Sequence, residues 1–215
     1  STDGFGGHGF HRSSFYDDGS GFSGFGGFGG HGSAGFDQKG QDLNASVSVT
    51  FDEVAFGCDK RITLQDQSGK AQTLEVHIPA GIDSGKSIRL RGKGMPGTGK
   101  GGAGDLLLKV TVQPKAGYER KGMDVYTTVS IPYTTAVFGG EARVHTLYGD
   151  VMCKIKEGTQ SGSKIRLRGK GIVSMKDANV HGDQYVTVQI QVPRHLNAEA
   201  RQKLMEYKKA AAGGR

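Results

Sequence analysis

The side chains that could do chemistry in this 215-residue chain are seven histidines, two cysteines and a scatter of carboxylates. Their spacing argues against each reaction in turn. His8, His11, His31, His77, His145, His181 and His195 include no Cys/His pattern suited to zinc, and His77 and His145 fall on outward positions of alternating stretches. Cys58 and Cys153 lie far apart, with no Cys-x-x-Cys. Each reads as a small, partly buried residue of a reducing compartment. The stretch RLRGKG at 89–94, repeated at 166–171, could cradle a phosphate on exposed backbone N–H groups. The Walker pattern, however, places Gly-Lys-Ser/Thr before a helix, whereas this stretch ends a strand and enters a glycine-rich loop. It reads as a strand and turn that shape the fold. Asp52 with Glu53, and Asp105 and Asp183, sit at turns where they can cap or bond backbone. No acid/base pair links them, so no enzyme, metal site or cofactor is expected.

The elements that must position these residues come as a repeat. SGKSIRLRGKG (84–94) returns as SGSKIRLRGKG (161–171), IPAGIDSG (78–85) as IKEGTQSG (155–162), and GDLLLKVTVQP (104–114) as GDQYVTVQIQVP (182–193). Upstream, residues 42–64 line up with 124–146: Val47 meets Val129, Phe51 meets Tyr133, Phe56 meets Phe138, Gly57 meets Gly139 and Arg61 meets Arg143. Two copies of a unit of roughly 75 residues follow. Within each the period is two, as in Ala45, Val47 and Val49, in Ile62 and Leu64, in Leu74, Val76 and Ile78, and in Leu106, Leu108, Val110 and Val112. The fold expected is mainly β: two tandem homologous antiparallel β-sandwiches or barrels, with a one-turn helix ending at Gly57. After Pro193, Asn197 is a good N-cap and Ala200, Leu204 and Tyr207 share a face, which predicts a terminal helix of about three turns that must pack on something, a second copy of the chain being a candidate.

The first forty residues differ. Phe5, Phe10, Phe15, Phe22, Phe25, Phe28 and Phe36 are each isolated among Gly, Ser, His or Asp, with no period that would bury a face. This Gly/Phe-rich segment is expected to be disordered, either a plain linker or a mobile chain whose aromatics dock transiently on a groove. The expected domains are therefore 1–40, 41–116, 117–194 and 195–215. A formal charge of +7 makes nucleic acid worth considering, yet the 28 basic residues are interleaved with 21 acids and form no long run. No membrane span or signal peptide is visible.

What remains is a binding protein. A sheet edge beside an apolar depression can add an extended peptide as a further strand. The first unit is the better candidate: Ile62 and Leu64 against Ala45 and Val47 stand where the second has Val144 and Thr146 against Thr127 and Val129. The alternative is that these aliphatics simply face the core.

The ordered combination of a Gly/Phe segment, FDEVAFGCDKRITL, IPAGIDSGKSIRLRGKGMPG, GDLLLKVTVQP and GDVMCKIKEGTQSGSKIRLRGKG resembles the DnaJ family of J-domain co-chaperones. The family's J domain, with its His-Pro-Asp, and its Cys-x-x-Cys-x-Gly-x-Gly zinc repeats are not seen, so the resemblance implies the C-terminal part of a longer protein. It would belong to the zinc-free subclass, which includes curved-DNA-binding proteins, or be a form lacking the zinc module. It implies a cytoplasmic co-chaperone that binds unfolded polypeptides and delivers them to a DnaK-type ATPase, with DNA binding as the alternative. The client groove would be lined by Ala45, Val47, Ile62, Leu64, Leu74 and Val76, with Tyr133 nearby. Lys60 and Arg61 would meet the acidic tail of the ATPase. A homodimer would form through Leu196, Ala200, Leu204 and Tyr207, and the Gly/Phe segment would be the connector to the J domain.

Overall fold

The computed structural model describes residues 37–65, 69 and 71–213. The Gly/Phe-rich run read as a disordered connector lies outside the described residues as far as Phe36. From there Gln38 bridges to Thr98, and the Gly40 N–H donates to the Gly102 carbonyl at 2.9 Å.

The chain divides into two compact units. One comprises the residues up to Thr50 with Cys58–Ile78 and Ile82–Gln113; the other comprises Phe51–Gly57, Pro79–Gly81 and the chain from Pro114 onward. The first holds β1 (Leu43–Val49), β2 (Cys58–Gln65), β3 (Ala71–Ile78), β4 (Ser87–Leu90) and β5 (Leu106–Val112). The helical turn α1 (Phe51–Phe56) belongs to the second, with β6 (Glu119–Lys121), β7 (Asp124–Pro132), α2 (Tyr133–Phe138), β8 (Gly140–Thr146), β9 (Gly149–Ile155), β10 (Lys164–Leu167), β11 (Gln184–Gln191) and α3 (Ala198–Ala212).

The repeat in the sequence is a repeat in topology. The first unit has a sheet of order β1-β5-β4 and a hairpin β2-β3; the second has β10-β11-β7-β6 and a hairpin β8-β9. Alternation places the apolar side chains as expected: Leu106, Leu108 and Val110 are buried on β5, and Val186 and Val188 on β11. Strand direction departs from the expectation. The units are not wholly antiparallel, because β1 runs parallel to β5, and β7 parallel to β11. Nor does β1 pair with β2; each lies in a different sheet. A period of two assigns faces and says nothing of direction. The helical turns that follow β1 and β7 take the place of a hairpin, and each ends at a left-handed glycine, Gly57 or Gly139.

One carboxylate organises the start of each parallel pair. The Asp105 carboxylate accepts from Arg89 Nε at 2.7 Å and from the Gly92 N–H at 2.8 Å, while its own N–H donates to Asp42 Oδ1 at 2.7 Å. In the second unit Asp183 accepts from Arg166 Nε at 2.6 Å and the Gly169 N–H at 2.8 Å, and its N–H donates to Asp124 Oδ1 at 2.8 Å. The glycine before each aspartate is needed for close backbone approach. A Cβ on Gly104 would stand 2.1 Å from the Gln41 carbonyl oxygen, and one on Gly182 2.1 Å from that of Met123. The RLRGKG stretch is thus a strand and turn clamped by an aspartate, as its place in the repeat predicted.

Helix α3 is capped as expected, with Asn197 Oδ1 accepting from the Ala200 N–H at 2.7 Å and Glu199 paired to Lys203 at 2.9 Å. At 15 residues it is about a turn longer than predicted, since the alanines at 210–212 favour its extension. No helix among the described residues is long and apolar enough to cross a membrane.

Backbone and guanidinium donors hold the Asp105 and Asp183 carboxyls below their ordinary value, the backbone N–H of Gly92 or Gly169 contributing most. A depressed folded value means stability that is present above the unfolded value of about 3.9 and lost as pH falls through the folded one. Asp105→Asn is therefore expected to lower the melting temperature by several degrees at neutral pH and to flatten the acid limb of stability below about pH 4. Thermal melts followed by circular dichroism between pH 2 and 7 check both.

Candidate functional site

On β2 the side chains alternate between two faces. Lys60, Ile62 and Leu64 share the more buried one, and Asp59, Arg61 and Thr63 the exposed one. Across the hairpin, Ile62 pairs with Leu74 and Lys60 with Val76. Ile62 and Val76 are 6% and 1% exposed and belong to the core, whereas Leu64, Leu74, Ala45 and Val47 are half-buried. The six first-unit residues named from the sequence thus divide into two that fill the interior and four that reach its surface. Because β2 and β3 form a two-stranded sheet, β2 has a second edge that no described strand occupies. An extended chain laid there could take main-chain hydrogen bonds and place alternate side chains against the aliphatic face.

Lys60 and Arg61 are adjacent in sequence but not in direction. Lys60 lies partly buried on the face of Ile62 and Leu64; Arg61 is exposed on the other, opposite Glu75. Tyr133 belongs to the second unit, where its hydroxyl lies 3.0 Å from that of Tyr207 on α3 and the rings meet edge to face. That hydrogen bond, before burial, raises the Tyr133 phenol above its ordinary value.

The matching place in the second unit is closed by polar groups. Val144, Cys153 and Val186 are buried there with Val129, Val151, Ile165 and Leu167 around them. Where the first unit buries Leu106, the second buries Gln184, fully enclosed. Its Nε2 donates to Thr127 Oγ1 at 2.9 Å and to the His145 carbonyl at 3.0 Å, and the Tyr118 hydroxyl donates to the same carbonyl at 3.3 Å. Gln184 Oε1 has no partner among the described residues. A buried polar group left without a partner costs about 1–3 kcal/mol, against which the two Nε2 hydrogen bonds are set. Sequence reasoning missed Gln184 and Tyr118; the one signal was the alignment of Gln184 with Leu106.

The residues predicted to pair two chains lie on α3 and just before it. Helix α3 has no buried residue, and Leu196, Leu204 and Tyr207 are 41%, 45% and 53% exposed. With Met205, which the sequence reading did not single out, and with Arg201 and Lys208, they line one concavity; Ala200 is half-buried on the same helix.

The remaining chemistry-bearing groups are dispersed. His77 pairs with Asp59 at 2.7 Å and His145 with Asp150 at 2.5 Å, both in the open on strand faces, as their alternation predicted. Burial pushes the Cys153 thiol up, away from the reactive thiolate. No group of three metal-ligating side chains occurs among the described residues.

Fold and site together define a tandem β-repeat protein, one copy of which presents a half-buried aliphatic face beside an open strand edge. The family model described as the DnaJ C terminal domain matches residues 43–193, and the chain belongs to that family. Relatives named chaperone protein DnaJ include one from Lachnospira eligens, 45% identical over 142 residues, covering 66% of this chain and 38% of the relative. Another, from Burkholderia pseudomallei, is 45% identical over 145 residues, covering 67% and 38%. The chain therefore matches well under half the length of these relatives.

The division of the apolar residues into interior and surface generates a stability test. Ile62→Ala is expected to cost about 2–4 kcal/mol, while Leu64→Ala, at a half-buried position, should cost less than half as much. Urea denaturation of both variants reads the difference through the shift in midpoint.

Proposed function

We propose that this chain binds unfolded or partly folded polypeptides as extended segments on the first unit, within a co-chaperone that passes them to a DnaK-type ATPase in the cytoplasm. The observation that carries the reading is the open edge of β2 beside the half-buried Leu64 and Leu74, with Ala45 and Val47 half-buried on β1 in the other sheet of the unit. Family membership and the name of the relatives, chaperone protein DnaJ, support it. Ile62 and Val76 act as the floor under the bound segment, and Tyr133 as an aromatic contact. Lys60 and Arg61, facing opposite sides of β2, meet the acidic tail of the ATPase at the strand's start, Lys60 from the groove face and Arg61 from the exposed one. Two chains pair through Leu196, Ala200, Leu204 and Tyr207, which would bury the exposed face of α3 and give two weak grooves the gain of a high effective concentration. The alternative, DNA bound through the basic surface, has the +7 charge in its favour.

A labelled, extended Leu/Phe-rich peptide is expected to bind saturably in fluorescence anisotropy, and Leu64→Asp to weaken it at least about tenfold by placing a carboxylate against apolar contacts. Unchanged binding to a folded Leu64→Asp chain would remove this groove. Preference for duplex DNA, falling steeply with salt, would favour the alternative. Leu204→Glu is expected to convert a dimer to a monomer in sedimentation velocity without lowering the melting temperature, since Leu204 is exposed within one chain.

A further inference from the structure

We infer that Gln184, assisted by Tyr118, is the residue that confines strand addition to the first unit by capping the outer edge of β8. The inference rests on the reading of β2 as the edge that receives a polypeptide. It comes from comparing two copies of one fold.

Strands β8 and β9 are joined by a two-residue turn between Thr146 and Gly149, which pair with each other. In such a hairpin the pair flanking the turn exchanges ladder hydrogen bonds, and the next pair, His145 with Asp150, points its main-chain groups outward. The His145 carbonyl is thus what an added strand would need. It already accepts from Gln184 Nε2 at 3.0 Å and from the Tyr118 hydroxyl at 3.3 Å. Gln184 also holds Thr127 on β7 at 2.9 Å, so one amide ties the four-stranded sheet to the edge of the hairpin. An incoming chain would have to displace both donors, leaving one of the two Nε2 hydrogens of the fully buried amide unpaired while Thr127 keeps the other.

In the first unit the aligned residues are Thr63 for His145, Ala45 for Thr127 and Leu106 for Gln184. Leu106 is equally buried and has no donor to offer the Thr63 carbonyl, nor has Ala45 a hydroxyl to orient one. The aligned strands have the same register partners within each unit, Leu43 with Leu106 and Val125 with Gln184. The change of a leucine for a glutamine at one buried position therefore separates a receptive edge from a capped one. Gln184 is a specificity-determining residue that acts on which unit takes a polypeptide rather than on the polypeptide itself.

The test uses the full chain in four forms: unaltered, Leu64→Asp, Gln184→Leu with Tyr118→Phe, and all three changes together. Each is titrated against the same labelled Leu/Phe-rich peptide, with stoichiometry read at saturating concentration. The expected numbers of sites per chain are one, none, two and one. Recovery of binding in the triple variant is the decisive result, because the only edge newly open is that of β8. A triple variant that binds nothing, while melting cooperatively, overturns the inference. Should Leu64→Asp leave binding intact, the first-unit groove fails as a separate matter, and capping is still judged by whether Gln184→Leu with Tyr118→Phe adds a site. Gln184→Met, which keeps the length without the amide, replaces Gln184→Leu if the melt of the latter is not cooperative, and must give the same gain.

Discussion

Each unit depends on one aspartate, placed where three segments of chain would otherwise drift apart. A four-residue strand such as β4 has little ladder of its own, and the glycine-rich stretch after it loses much backbone entropy on ordering. Asp105 grips both through Arg89 and Gly92 and, through its own N–H, fixes the chain just before β1. Because β1 and β5 run parallel, their starts lie at the same end of the sheet, and that is where Asp42 and Asp105 meet. Asp183 with Asp124 does the same for the second unit, and the geometry repeats to within about 0.1 Å. The corner adds to the β1–β5 and β7–β11 ladders in holding the sheets whose faces any ligand would meet.

On that common frame the two copies have taken different side chains. The first unit keeps aliphatic groups at half-buried positions, leaving its hairpin edge beside an apolar surface. The second fills the matching region with Thr127, Thr146 and Gln184, whose hydrogen bonds stay within the unit. The clamp is unchanged between copies while the interior beside it is not, which separates what makes the fold from what makes the surface.

Much of this was legible in the residues. Alternation marked the more buried face of the strands it was read on, because it follows from side-chain direction alone, and self-similarity marked the two units. Asn197 announced the start of α3, and its alanine-rich end carried the helix a turn further than the polar residues implied. Strand order was not legible: the pairing of β1 with β5 depends on residues 63 apart, which no local period encodes. The period of two did imply that Lys60 and Arg61 face opposite sides, a point obscured by treating them as one basic pair. Gln184 was hidden for a different reason, since a polar residue on a strand reads as outward until its neighbours show it enclosed.

The parallel pairing of β1 with β5 and of β7 with β11 also fixes when each unit can form during synthesis. The chain emerges from the ribosome with its N-terminal end first, and β1 must wait some 60 residues for β5, as β7 waits for β11. Until then the apolar faces of β1 to β3 have no sheet to close on, and closure comes late because long-range pairing is slow. A protein of the family whose relatives are named chaperones thus passes through its own aggregation-prone interval twice per chain, and the glycine-rich turns that let β4 and β5 meet also lengthen the wait.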